Sequence, residues 1–211
     1  MAAALLAVVL GMLGAVAKLS RSKALRWIAE IYTTLIRGVP DLVLMLLVFF
    51  GGQMLVNQIA PMLGYEDYID ISPFIAGVGT IGFIYGAYMT ETFRGAILAV
   101  PAGQLEAGYA FGMSPLQVFF KILMPQMIRH ALPGFGNNWL VLLKTTALLS
   151  VLGLDDVLRK AGLAAGATRE PFTFYIMAAF VYLVMTTVSV LVLGWLERRY
   201  AVAYARSSHG S

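Results

Sequence analysis

Apolar and polar positions fall in long blocks along the chain. Five apolar segments, residues 2–17, 39–60, 74–100, 132–154 and 174–196, are separated by shorter polar stretches. Each predicts a helix, because backbone facing lipid must satisfy its own hydrogen bonds. Residues 24–37 predict a further, amphipathic helix at the membrane interface. Leu25, Ile28, Ile31, Leu35 and Ile36 approximate one apolar stripe, and Arg26 and Glu30 are spaced to pair four apart. Gly38 and Pro40 then interrupt the helix. No internal repeat, low-complexity tract or second domain stands out, so residues 1–211 read as a single transmembrane domain.

The basic residues orient these segments. Lys18, Arg21, Lys23, Arg26 and Arg37 follow the first one. The stretch after the second holds no Lys or Arg and carries Glu66, Asp67 and Asp70. Arg94, Lys121 and Arg129 surround the third connection. The fourth is mixed, with Asp155, Asp156, Arg159, Lys160, Arg169 and Glu170, and the tail carries Arg198, Arg199 and Arg206. Placing the first loop in the cytoplasm puts the N-terminus outside and the C-terminus inside, although the fourth loop then leaves basic residues outside. The first segment has 16 residues. It spans about 24 Å as a helix against a hydrocarbon core of about 30 Å, so an incomplete span is expected. Ala15-Val16-Ala17 also resembles a signal-peptide cleavage site, but no positive charge precedes the apolar run and a basic cluster follows it.

Composition sharpens the membrane reading. Apolar residues make up 60% of the chain and charged residues 12%, against about 25% charge in a soluble domain. Mean hydropathy is +0.81. Lipid must therefore be the solvent. A net charge of +4 is too modest to imply a nucleic-acid partner. Absence of Cys excludes disulfides and thiolate metal sites, and His130 and His209 have no metal-ligand spacing around them. No cofactor of the chain's own is expected.

The polar stretch at residues 100–131 is punctuated by Gly and Pro. Pro101 suits the first turn of a short helix and Gly112 its end. Ser114 before Pro115 reads as an N-cap opening a second helix, which carries Leu116, Phe119, Phe120, Ile122 and Leu123. Pro125 is expected to kink or end it. Two short helices joined by a sharp turn make a rigid knob below the membrane, with Glu106 as an anion that could meet a partner's Arg or Lys. An ordinary amphipathic connector with a solvated Glu106 fits the spacing equally well.

Within the apolar segments, Glu91 and Arg94 share one helical face. Ionisable residues inside a membrane are functional candidates by default, but this pair could also neutralise itself near the inner surface. Lys144 lies near the middle of the fourth segment, with Asn137 two turns away on the same face. Asn138 and Thr145 form a parallel pair on the neighbouring stripe. Such stripes line a path or bind helices to each other. The acidic residues Glu66, Asp67 and Asp70 could attract a cation or a basic patch, or simply form a solvated turn.

Several stretches together resemble the permease subunits of polar-amino-acid ABC importers, over nearly the whole chain. They are residues 32–40 (YTTLIRGVP), 85–95 (YGAYMTETFRG), 106–125 with Glu106-Ala107-Gly108, Gly112, Ile122 and Pro125, then 137–148 and 196–200 (LERRY). The pattern is most like permeases serving histidine, lysine, arginine and ornithine in Gram-negative bacteria. The resemblance implies an all-α permease fold of the type I ABC-importer kind with about five transmembrane helices, in the bacterial inner membrane. It implies a related permease subunit as partner, usually a different one, together with a cytoplasmic ABC ATPase dimer and a periplasmic amino-acid-binding protein. ATP would be bound by the ATPase, since this chain lacks a GxxxxGK[ST] phosphate loop. Glu106, Ala107 and Gly112 fall on the family's ATPase-coupling motif. Gly108 departs from the usual second Ala, which should loosen that helix by roughly 1 kcal/mol. Resembling chains also carry more residues before the position of Met1. For a cationic substrate, Asn138, Thr145 and Glu91 are pathway candidates, because the face bearing Lys144 would repel it. The rival readings are a membrane-embedded enzyme using Glu91, Arg94 or Lys144, for which no nucleophile or metal ligands are visible, and an ATP-independent channel or carrier.

Overall fold

A computed structural model describes residues 1–65 and 67–205, with the side chains of 201–205 excepted. Glu66 of the acidic loop, and Arg206 and His209 of the tail, lie outside the described residues. The described chain is helical throughout: α1 (Ala2–Leu19), α2 (Lys23–Gly38), α3 (Asp41–Ile59), α4 (Pro73–Leu98), α5 (Ala102–Ala110), α6 (Pro115–Val118), α7 (Met124–Thr145), α8 (Val157–Thr168) and α9 (Pro171–Ala205). Short 3-10 turns follow α3 and α7.

Among the described residues, four helices are long and apolar enough to cross a membrane: α1, α3 with its 3-10 turn, α4 and α9. The fifth expected span differs. It begins at Met124 rather than at residue 132 and ends at Thr145, where the rest of the apolar run tightens into the 3-10 turn Thr146–Ser150. Its 22 residues would span about 33 Å at 1.5 Å each. Arg129, His130, Asn137, Asn138 and Lys144 are what lower its apolar content.

The helix does not end at Pro125. The chain stays helical from residue 115 to 145, because a π turn at Phe119–Leu123 precedes the proline. The Met124 N–H reaches back to the Phe119 carbonyl. Widening the turn relieves the clash that a proline ring makes with the carbonyl four residues earlier. The mixed fourth loop is also more ordered than its charges suggest. Asp156 caps α8, accepting from the Arg159 N–H at 2.8 Å, and α8 packs along α9.

The centre of the molecule is the contact between α1 and α4, the most extensive in the fold. Ala3, Ala7, Gly11 and Ala15 recur every fourth residue on α1 and are buried, with Ala4 beside them. Small residues at this spacing let two helix backbones approach closely. A Cβ added to Gly11 would lie 2.4 Å from the Met89 Cβ and 3.0 Å from its backbone carbon, and one added to Gly14 would lie 2.2 Å from the Thr90 hydroxyl. The short first segment is thus held by direct backbone contact with α4. The other sides of α4 receive α7, α2 and α3. Helices α3 and α9 keep most apolar side chains exposed, as lipid-facing helices do.

Helix α2 packs on the bundle through one face. Ala29, Thr33 and Ile36 bury one face, the Tyr32 hydroxyl donates to the Phe83 carbonyl, and the Tyr32 and Phe83 rings stack at 5.0 Å. Burial pushes the Tyr32 hydroxyl up to about 12. Of the predicted stripe, Ile36 is buried against the bundle, while Leu25, Ile28, Ile31 and Leu35 face outward, where lipid would lie. The α3–α4 loop is tied down by side chains of α3. Asn57 pairs with both backbone groups of Ile69, at 2.9 and 2.7 Å, and Gln53 accepts from the Ile71 N–H at 2.9 Å. Asp67 and Asp70 are exposed there.

The α1–α4 contact makes a discriminating prediction. Gly11→Ala should destabilise the folded protein by about 1–3 kcal/mol, since Met89 backbone must move. Gly79→Ala, in open space on α4, should be neutral or stabilising by up to about 1 kcal/mol. Thermal unfolding of the purified protein in detergent ranks the two, and equal stabilities would contradict the close packing.

Candidate functional site: an exposed corner and a polar spine on α4

The corner at residues 100–131 is built from local signals. Gly112 adopts a left-handed φ of +76°, which ends α5. The Met113 N–H bonds to the Gly108 carbonyl at 3.1 Å and the Gly112 N–H to the Tyr109 carbonyl at 2.9 Å, a Schellman pairing that satisfies the last carbonyls. Ser114 then caps α6. Its hydroxyl accepts from the Gln117 N–H at 3.3 Å while the Gln117 side chain accepts from the Ser114 N–H at 2.9 Å, a complete capping box.

Glu106 and Ala107 are exposed on the outer face of α5. Gly108 is buried on the inner face, and its lack of a side chain has a packing role rather than loosening the turn. A Cβ there would come 2.6 Å from Ile122 Cδ1 and 3.1 Å from Val118 Cγ2. The α5 backbone therefore rests directly on the start of the π turn. Tyr109, Phe111, Leu116 and Phe120 are exposed around the corner, Phe111 by 88%. The corner thus offers one carboxylate surrounded by apolar side chains.

The remaining predicted residues converge on α4. Glu91 and Arg94 pair at 3.1 Å, as their spacing suggests. The sequence reading missed Lys18, whose buried ammonium pairs with Glu91 and, at 2.8 Å, with Glu30. Glu30 therefore serves α1 rather than Arg26. The cluster fastens the ends of α1, α2 and α4 together and borders a polar cleft of about 410 Å³, whose other lining residues include Thr33, Thr34, Arg37 and Gly38.

Asn138 and Thr145 both point at α4. The Asn138 amide donates to the Thr92 hydroxyl at 2.9 Å. Thr145 is buried, with its hydroxyl 2.6 Å from that of Tyr85. Asn137 and Lys144 lie on the neighbouring, exposed stripe of α7. The two stripes are thus separated as their spacing predicts, and Asn138 and Thr145 tie α7 to α4.

A second residue missed in the sequence is Asp41, in the first turn of α3. Tyr85 and Tyr88 each donate to one of its carboxylate oxygens, at 3.4 Å. Their rings lie 5.5 Å apart, and the Arg37 guanidinium sits 5.9 Å from the Tyr88 ring centre. Only the three-dimensional path of α2 and α3 brings Asp41 to the middle of α4.

This is the architecture of a helical transport subunit, with a polar spine inside the bundle and an exposed corner at one end. The model of the family described as binding-protein-dependent transport system inner membrane component matches residues 7–202. The chain belongs to that family and is a component of a transport system of the inner membrane rather than an enzyme. It is 56% identical over 202 residues to the histidine/lysine/arginine/ornithine transport system permease protein HisQ of Salmonella typhimurium, covering 96% of this chain and 88% of that one. It is 45% identical to the octopine transport system permease protein OccQ of Rhizobium radiobacter, over 90% of this chain and 81% of the relative. It is 40% identical to the arginine ABC transporter permease protein ArtQ of Escherichia coli K12, over 90% and 85%. Among solved structures, an amino acid ABC transporter with histidines matches with a TM-score of 0.77 at 34% identity, over 94% of this chain and 87% of that one. The MetNI methionine ABC transporter, in an inward-facing form, shares the fold with a TM-score of 0.71 at 15% identity, over 94% and 89%.

The Lys18–Glu91 contact generates a test. Lys18→Met leaves Glu91 and Glu30 short of a cation and should cost roughly 2–5 kcal/mol. Adding Glu91→Gln should cost less than the sum of the two single changes. Unfolding of the three variants in detergent measures this, and strict additivity would mean that the pair does not couple α1 to α4.

Proposed function

We propose that the chain is the permease subunit of an ABC importer for polar, basic amino acids of the histidine, lysine, arginine and ornithine class. In this reading it pairs with a related but different permease subunit. A cytoplasmic ATPase dimer docks on the corner formed by α5 and α6, and a periplasmic binding protein delivers the substrate. The N-terminus is periplasmic and the C-terminus cytoplasmic, as the Lys and Arg distribution favours. The named substrates of the similar permeases support the substrate class.

The observation that carries the coupling role is the exposed, locally rigid corner, with Glu106 and Ala107 outward and Gly108 packed on residues 118–122. Glu106 would pair with a cation of the ATPase, and the surrounding aromatic side chains would fill an apolar socket. ATP binding and hydrolysis on the partner would then shift the bundle between two states, by as much as those states differ in affinity for the docked ATPase. ATP itself binds elsewhere in the assembly. Asn138, Thr145 and Glu91 stay candidates for the path, at positions where a change of helix packing would expose them.

Reconstitution tests both parts. With its partner subunits, ATPase and binding protein in liposomes, the chain should support ATP-dependent uptake of labelled arginine and histidine in preference to glutamine. Uptake without ATP would point to a channel or carrier. Glu106→Lys should lower ATP-driven uptake by at least about tenfold and weaken co-purification of the ATPase, as expected for reversing a charge at an interface. Unchanged uptake and association would remove Glu106 from the coupling site.

A further inference from the structure

Two carboxylates face the interior of the bundle along α4, and they differ in one respect. Glu91 is neutralised by Lys18 and Arg94. Asp41 has no Lys or Arg nitrogen within 4.0 Å among the described residues. Its contact with Tyr85 sets it, in the first turn of α3, beside the midpoint of α4. A carboxylate packed among membrane-crossing helices without a directly paired cation is a functional candidate.

Its surroundings are suited to a cation. The two tyrosine hydroxyls approach at 3.4 Å, one to each oxygen, which is long for an O–H···O⁻ bond. Both are easily displaced by a stronger partner. The rings of Tyr85 and Tyr88 flank the position, and the face of Tyr88 already carries the Arg37 guanidinium, so that ring accepts a cation. Tyr85 is fixed from behind by the 2.6 Å contact with Thr145. Tyr85 and Thr145 are buried whereas Asp41 and Tyr88 are half-exposed, so the site opens on the Asp41 side, next to exposed Arg37 and Gly38. It also sits where the α2–α3 chain breaks at Gly38-Val39-Pro40, and interrupted helices commonly form ion and substrate sites in carriers.

We propose that Asp41, framed by Tyr85 and Tyr88, is the subsite that recognises the positively charged side chain of a basic amino acid as it crosses the membrane. This rests on the basic amino-acid reading above. The guanidinium or ammonium group displaces the tyrosine hydroxyls from the carboxylate and lies against the rings. Thr145 is a positioning residue that keeps Tyr85 in place. A neutral side chain of the same shape leaves Asp41 unpaired and is disfavoured.

Arginine and citrulline, which differ mainly in that charge, provide the test. Equilibrium binding of each labelled compound is measured on the purified, fully assembled complex in lipid nanodiscs without binding protein. ATP-dependent uptake of each is followed in parallel. The wild type should bind arginine over citrulline. Asp41→Asn should weaken arginine binding by at least about tenfold and leave citrulline unchanged. Asp41→Glu, which keeps the charge, should recover much of the preference and controls for misfolding. A preference kept within about twofold in Asp41→Asn, or no preference in the wild type, would overturn the subsite. Uptake of arginine unaffected by Asp41→Asn would also overturn it while leaving the importer reading intact. A binding preference that Asp41→Asn abolishes, in a complex showing no ATP-driven uptake, would support the subsite and sink the importer reading.

Discussion

The close approach of α1 to α4 sets the positions of everything else. Ala7, Gly11, Gly14 and Ala15 bring the two backbones together without intervening side chains. In lipid such contact relies on dispersion and on few lost rotamers, because no hydrophobic force draws apolar helices together. Once α1 is seated, Lys18 is delivered to Glu91, and Glu30 of α2 follows it. Helix α2 is then laid against α4 so that Tyr32 reaches Phe83, and the chain re-enters at Asp41. A larger side chain on α1 would displace these contacts together, because they share one helix as reference.

Polar groups inside the bundle are nearly all arranged along α4. Thr90 and Thr92 donate to carbonyls of their own helix, at 2.8 and 3.2 Å. Thr92 also accepts from Asn138, Tyr85 meets Thr145, and Glu91 is doubly paired. Each such bond replaces water that lipid cannot supply, so α4 works as a spine to which α1, α2, α3 and α7 attach by specific polar contacts. Packing alone would leave their rotation free. Asp41 is the exception in that series, held only by two long contacts.

Features coded by neighbouring residues were the most legible in the sequence. The corner needed only Gly112, Ser114 and Pro115, each with a fixed backbone preference, and it folds as those preferences dictate. The shared face of Glu91 and Arg94, and the parallel stripes of α7, followed from helical periodicity. What escaped depended on contacts between distant segments. Lys18 reads as part of a basic loop until α1 is placed 73 positions away against Glu91. Asp41 reads as one polar residue at the start of an apolar segment until α3 docks on Tyr85. The π turn was invisible because no residue type demands it, while Pro125 alone predicted a break. Gly108 was judged by helix propensity, when its role is to let Ile122 and Val118 come close. The helix α8 was concealed by its mixed charge, although Asp156 before Val157 was a usable capping signal.

The geometry also suggests how a corner outside the membrane could act on a subsite within it. Residues 115–145 form one helical path, so the corner and Thr145 are opposite ends of a single lever. The π turn at Phe119–Leu123 is its softest point, since one backbone bond spans a wider ring there and Pro125 contributes no donor. Gly108 braces this turn from below, so displacement of α5 by a docked ATPase would press on it directly. Rotation of α7 above the turn would be felt first where its polar contacts are shortest, at Thr145 and Tyr85. Tyr85 is also one of the two donors to Asp41. A lever that moves Tyr85 would therefore change how strongly Asp41 is occupied, which links the proposed subsite to the corner proposed to receive the ATPase.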